Sequence, residues 1–166
     1  MRIILKIFLL IIIASCSLNV HAQMPVNTDK DNCSSARRDS IVAYAKSYLG
    51  TKYVWKGSSP KGFDCSGFVS YVFAHFNMSL PHGSKSYATV GKKISLEECC
   101  KGDVMVFRGT HANDKSPGHV GIVISEKGEP VRFSHSSSSK AHWGVVMTDY
   151  EKSSYPKRFI KVVRVL

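Results

Sequence analysis

The chain has 166 residues, of which 43% are hydrophobic and 21% charged, a globular balance that excludes the disordered, collagen-like and coiled-coil classes. That length suits one domain and is short for two. The net charge of +11 fits an acidic polymer, an anionic lipid or nucleic acid without choosing among them. Five cysteines without paired CxxC spacing argue against a disulfide scaffold and a structural zinc knuckle.

Taken in chain order, the first feature is an export signal. Arg2 and Lys6 supply the positive start, residues 7–14 the apolar core, and Val20-His21-Ala22 a small-residue cleavage site before Gln23. The apolar run is well short of the roughly 20 residues that a membrane-spanning helix needs. Ile13-Ala14-Ser15-Cys16 also resembles a bacterial lipobox, so two processing routes stay open. Cleavage after Ala22 releases the domain, whereas lipidation of Cys16 tethers it to a membrane. Residues 23–35 are polar and aperiodic and read as a leader. Residues 36–166 contain no repeat, low-complexity tract or second linker, and read as one domain.

Ile41, Ala45, Tyr48 and Leu49 recur at helical spacing and Gly50 follows as a stop, which predicts an amphipathic helix of about four turns. Residues 51–64 are rich in Gly, Ser and Pro and predict a loop. A second helix runs from near Cys65 to near Asn77, with Val69, Val72, Phe73 and Phe76 on one stripe. Short β-branched runs at 104–107, 120–124, 131–133, 145–147 and 159–165 predict strands joined by turns. Helices first and strands after is the α+β pattern.

Within this frame Cys65 opens a helix directly after a glycine-rich loop. A helix N-terminus presents unpaired N–H groups and partial positive charge, which predicts a lowered thiol pKa. His119 leads the strand that carries Gly121; alternation puts both on one face, and the missing side chain at Gly121 predicts a bare patch for the helix end to approach. His135 is expected at the end of the next strand. If the two strands are neighbours, both imidazoles meet at one rim, and a Cys–His pair with a third polar group is an activated-nucleophile arrangement.

The blocks Tyr53-Val54-Trp55-Lys56-Gly57, Gly62-Phe63-Asp64-Cys65-Ser66-Gly67-Phe68-Val69, Leu80-Pro81, Gly102-Asp103-Val104, Gly118-His119-Val120-Gly121-Ile122 and Phe133-Ser134-His135 resemble the NlpC/P60 peptidases, in order and in spacing, over about residues 36–166. The resemblance implies a papain-like α+β fold with the catalytic helix packed on an antiparallel sheet. It implies Cys65 as nucleophile, His119 as general base and His135 as the orienting third residue, with Tyr53, Asp64 and Ser66 lining the substrate site and Asp64 placed to meet a substrate amine. The implied oxyanion donors are the Cys65 backbone N–H and a neighbour. The implied reaction is amide hydrolysis in peptidoglycan stem peptides or cross-links, without cofactor or metal. Two positions depart from the family's pattern: Lys56 stands where glycine is common, and His82 where arginine often follows Leu-Pro.

Other residues carry less. His75 reads as structural, and His111 and His142 lie in loops without metal-site spacing. Cys99 and Cys100 form a vicinal pair with two readings open: one of them bridges to Cys33 in an oxidising compartment, or they stay free buried thiols. Residues 57–62 lack Walker spacing, and the sequons at Asn32 and Asn77 are chance matches. No aromatic-interleaved basic stripe supports nucleic-acid binding. The expectation is therefore an exported, monomeric cysteine endopeptidase of the cell envelope, with its basic surface matched to wall carboxylates. The rivals are a catalytically silent wall-binding module and an acyltransferase or amidase using the same Cys–His chemistry.

Overall fold

The computed structural model describes residues 36–110 and 115–166. The expected export signal, Cys16, the leader with Cys33, and His111 lie outside the described residues. Helix α1 (Ala36–Lys46) is followed by a two-residue ladder, β1 (Ser58–Ser59) with β2 (Gly62–Phe63), and then by helix α2 (Cys65–Ala74). Strands β3 (Lys92–Ile94), β4 (Val104–Arg108), β5 (Pro117–Val123), β6 (Arg132–Ser139), β7 (His142–Asp149) and β8 (Phe159–Arg164) form one antiparallel sheet in the order β3-β8-β4-β5-β6-β7. Single 3₁₀ turns occupy Ser84–Ala88 and Tyr155–Arg158. The α+β expectation holds, and β3 is an element the sequence pattern did not announce.

Both faces of the sheet are covered. Val104, Val106, Val120, Ile122 and Val163 pack against Ile41, Ala45, Phe68, Val69, Val72 and Phe73 of the two helices. Met105, Phe107, Val123, Phe133 and Val162 form a second core with Tyr150 and Cys99, flanked by Tyr155 and Phe159. That double burial explains why β4 reads as an uninterrupted apolar run rather than an alternating one.

Three expectations need correction. α1 ends at Lys46, and the chain continues to Gly50 in tighter i→i+3 bonds such as Tyr48 N–H to Ala45 C=O at 3.3 Å; Leu49 thereby leaves the buried stripe and is 41% exposed. His135 sits mid-strand, because β7 pairs with β6 from Arg132↔Asp149 to Ser139↔His142 and draws the serine run into the sheet. The place of a Gly121 side chain is filled by β6, since a Cβ there would lie 2.6 Å from the Phe133 ring and 3.1 Å from His135 Cβ.

A buried ion cluster ties the layers together. Arg38 of α1 donates to Asp103 Oδ1 at 3.1 Å and to the Lys101 carbonyl at 2.7 Å, and Arg164 of β8 reaches Asp103 Oδ2 at 2.8 Å. Cys100, next to this cluster, is disulfide-bonded. With Cys65 and Cys99 free thiols, its partner lies outside the described residues.

Candidate active site

β5 and β6 are paired only at Ile122↔Ser134 and Val123↔Phe133. Helix α2 packs against both strands. Ser136 Oγ of β6 donates to the Phe63 carbonyl at 2.7 Å, fixing the approach to Cys65, and the Val120 N–H of β5 bears on the Cys65 sulfur, favouring its charged form. The Gly121 position, filled from β6, is therefore not what admits the helix end. Gly67 lets the preceding loop close on the helix, since a Cβ there would meet the Gly57 carbonyl oxygen at 2.0 Å.

Asp64 caps α2. Its Oδ1 accepts from the Gly67 N–H at 2.6 Å and from Ser66 Oγ at 3.1 Å, satisfying one of the helix's orphan donors. Its Oδ2 meets His82 Nε2 at 3.1 Å, so His82, the second departure from the family pattern, is the partner of the cap. Lys56, the first departure, has φ +56°, a left-handed backbone that glycine adopts without cost and lysine does not.

Burial pushes the Cys65 thiol up to about 11, with the Asp64 charge acting the same way, against backbone N–H bonds from Val120, Ser66 and Cys65 itself. The predicted lowering by the helix start is thus overturned: removal of the sulfur from water outweighs the donors around it. Both histidines are held neutral. His119 falls well below its ordinary value through burial, then His135 and Arg158. His135 falls to about 3 through burial, then Arg158 and His142.

The two imidazoles form a chain. His119 Nε2 lies 3.0 Å from His135 Nδ1, and His135 Nε2 lies 3.0 Å from Thr148 Oγ1. His119 Nδ1 has no hydrogen-bond partner among the described residues. A proton on Nε2 directed at His135 leaves Nδ1 with a lone pair, the state a base needs. Tyr155 Oη lies 3.3 Å from His119 Nε2 and 3.4 Å from His135 Nδ1.

Cys65, His119 and His135 line one cleft of about 1510 Å³, together with Tyr53, Asp64 and Ser66. Tyr53 meets Trp143 edge-on at 5.1 Å. Lys56, Lys85, Lys152 and Arg158 also line the cleft, giving it a cationic rim. Thr148 and Tyr155 were not legible in the sequence, since neither adjoins a motif block. His75 stacks on Tyr44 at 3.9 Å, away from the cleft, and His142 lines it. Among the described residues no group of three His, Cys, Asp or Glu side chains is placed to hold a metal ion.

The NlpC/P60 family model matches residues 50–164. The chain is 33% identical over 152 residues to a γ-DL-glutamyl hydrolase of Bacillus subtilis strain 168, covering 90% of this chain and 34% of that one. It is 39% identical over 87 residues to the bifunctional muramidase/DL-endopeptidase CwlT of the same strain, covering 52% and 26%. It thus spans about a third or less of the length of these curated relatives. Among solved structures, the NlpC/P60 domain of the peptidoglycan hydrolase SagA superposes with a TM-score of 0.61 at 28% identity, covering 77% of this chain and 98% of that domain. With the family model matching residues 50–164 of the 166, the chain belongs to the NlpC/P60 family.

Proposed function

We propose that the chain is a cysteine endopeptidase that hydrolyses amide bonds in peptidoglycan stem peptides or their cross-links. The observation that carries this reading is the convergence of Cys65, at the start of α2, with the His119–His135–Thr148 chain in one cleft. The names of the relatives support the wall-peptide class of substrate. The cationic rim of Lys56, Lys85, Lys152 and Arg158 suits a peptide rich in carboxylates.

The resting pair is a neutral thiol and a neutral imidazole, so attack and proton transfer go together. Cys65 Sγ bonds to the scissile carbonyl carbon as its proton passes to His119 Nδ1. The developing oxyanion takes hydrogen bonds from backbone N–H groups at the start of α2, Cys65 among them. His119 then gives its proton to the leaving amine, and the acyl-enzyme is hydrolysed by a water that His119 deprotonates. His135 keeps the Nε2 proton of His119 engaged throughout.

The test is digestion of defined muropeptides followed by mass spectrometry, with a γ-glutamyl bond, the linkage in the name of the Bacillus subtilis relative, assayed first. Hydrolysis by the unmodified protein and none by Cys65→Ala supports the reading. Binding without hydrolysis would identify a silent wall-binding module, and transfer to an added amine in place of water would identify an acyltransferase. Export belongs to the same proposal and rests on Arg2, Lys6 and residues 7–14. N-terminal analysis of the protein from its host should return Gln23 or lipidated Cys16, and an intact Met1 overturns it.

A further inference from the structure

We propose that Tyr155 is a positioning residue, its hydroxyl serving with His135 as a second acceptor for the Nε2–H of His119 when His119 becomes imidazolium. The inference rests on the cysteine peptidase reading above.

The phenol is held where it is needed. Its backbone N–H donates to Ser153 Oγ at 3.2 Å, and its ring packs on Phe107 at 4.7 Å and on Phe133 at 5.0 Å. The Arg158 guanidinium lies 5.0 Å from the ring centroid. Oη then lies 3.3 Å from His119 Nε2 and 3.4 Å from His135 Nδ1, inside the triangle closed by the 3.0 Å contact between the imidazoles. One hydroxyl in that position offers an oxygen lone pair to the His119 Nε2–H beside the single lone pair of His135 Nδ1.

The electrostatics make the acceptor matter. A base whose proton arrives at Nδ1 needs its far N–H held by something that tolerates positive charge. Carboxylates do this in many sites; here the groups that bear on His119 are His135 from β6, which is neutral, and Arg158 from the 3₁₀ turn, which opposes the charge. Cys65, from α2, is a neutral thiol at rest, and burial pushes the Tyr155 phenol up to about 12, so it stays protonated at working pH. His142, which bears on His135, also disfavours a second positive charge. The imidazolium is therefore stabilised by neutral acceptors, and the structure provides two, His135 Nδ1 and Tyr155 Oη.

The experiment is steady-state cleavage of one muropeptide from pH 4 to 9 by the unmodified protein, Tyr155→Phe, His135→Ala and the double variant, with Cys65→Ala and His119→Asn as controls. Tyr155→Phe keeps the ring and removes one hydrogen bond to a charged group, so kcat falls roughly tenfold with KM unchanged. The acid limb of kcat/KM, which reports protonation of His119, moves to lower pH because the imidazolium has lost an acceptor. A merely structural role gives the opposite sign, since loosened packing admits water and carries His119 back toward its ordinary value. Two acceptors for one proton also predict that the double variant loses more than the product of the two single losses. Unchanged kcat in Tyr155→Phe, an acid limb that stays or rises, or multiplicative losses overturn the proposal. Activity in Cys65→Ala or His119→Asn would instead overturn the peptidase reading itself. If Tyr155→Phe fails to fold by circular dichroism, histidine ¹⁵N spectra of Cys65→Ala with Tyr155 in place answer the question. His119 protonated at Nε2 supports the arrangement, and protonation at Nδ1 refutes it.

Discussion

The rings of His119 and His135 stand at 86° to each other, so Nε2 of the first points at Nδ1 of the second across 3.0 Å. The two histidines are therefore unequal. His119 Nδ1 has no hydrogen-bond partner among the described residues, while both nitrogens of His135 are engaged by His119 and Thr148. His119→Asn removes the group that takes and returns the proton, and kcat should fall by about 10²–10⁴. His135→Asn keeps a polar acceptor and should retain measurable activity, with His135→Ala lower. Cleavage of one muropeptide by the three variants, each checked by circular dichroism, decides it; more activity in His119→Asn than in His135→Asn exchanges the roles.

The raised thiol changes what alkylation should reveal. With Cys65 pushed up to about 11, its labelling by iodoacetamide should climb steadily from pH 7 to pH 10. A rate that levels off below pH 8 would show a stabilised thiolate. Cys99 is buried at 3% exposure and pushed up to about 12, so it should label more slowly throughout. Mass spectrometry of timed samples separates the two sites.

Acid should unfold the domain through the same buried histidines. Each has a folded pKa depressed below its ordinary value, so the unfolded chain binds protons at a higher pH than the native one. Stability is then fully present above the unfolded pKa of about 6.5 and is lost as pH falls from there toward 3. Thermal melts between pH 7.5 and 4 should show a falling Tm, and His135→Gln should flatten that dependence. An unchanged slope in this variant would remove His135 as a cause.

Lys56 offers a separation of stability from binding. Its left-handed backbone costs about 1 kcal/mol that glycine avoids, partly offset by glycine's greater freedom in the unfolded chain. Lys56→Gly should raise Tm by up to a few degrees while raising KM for an anionic muropeptide, since a cation leaves the cleft rim. A lower Tm would mean that the lysine side chain stabilises the loop by contacts that outweigh its backbone.

The parts of the site that were legible in the sequence are those carried by short, contiguous blocks. Cys65 at a helix start and His119 at a strand start could be placed from local pattern alone, whereas the capping role of Asp64 emerged only from the structure. Tyr155 could not, because it reaches His119 across 36 residues through a 3₁₀ turn that has no periodicity. The thiol's direction of shift was misjudged for a related reason. A helix start is visible in sequence, but the burial that overrides it comes from tertiary packing of Cys65 against the core. The strand expected at 131–133 is likewise longer than its pattern shows, because cross-strand pairing with β7 carries β6 on to Ser139 against the weak strand preference of serine.

The order of the sheet has a consequence for how the molecule comes into being. β8 is the latest strand in the sequence, yet it lies between β3 and β4 and pairs with both, Lys92↔Arg164 on one side and Val104↔Val163 on the other. Until residues 159–164 are available, β3 has no neighbour and β4 presents an open edge, the kind of surface that invites pairing with other chains. A nascent chain that already carries Cys65, His119 and His135 thus lacks the strand that joins β3 to the rest of the sheet. Cys65, His119 and His135 are made before the sheet beneath them is complete.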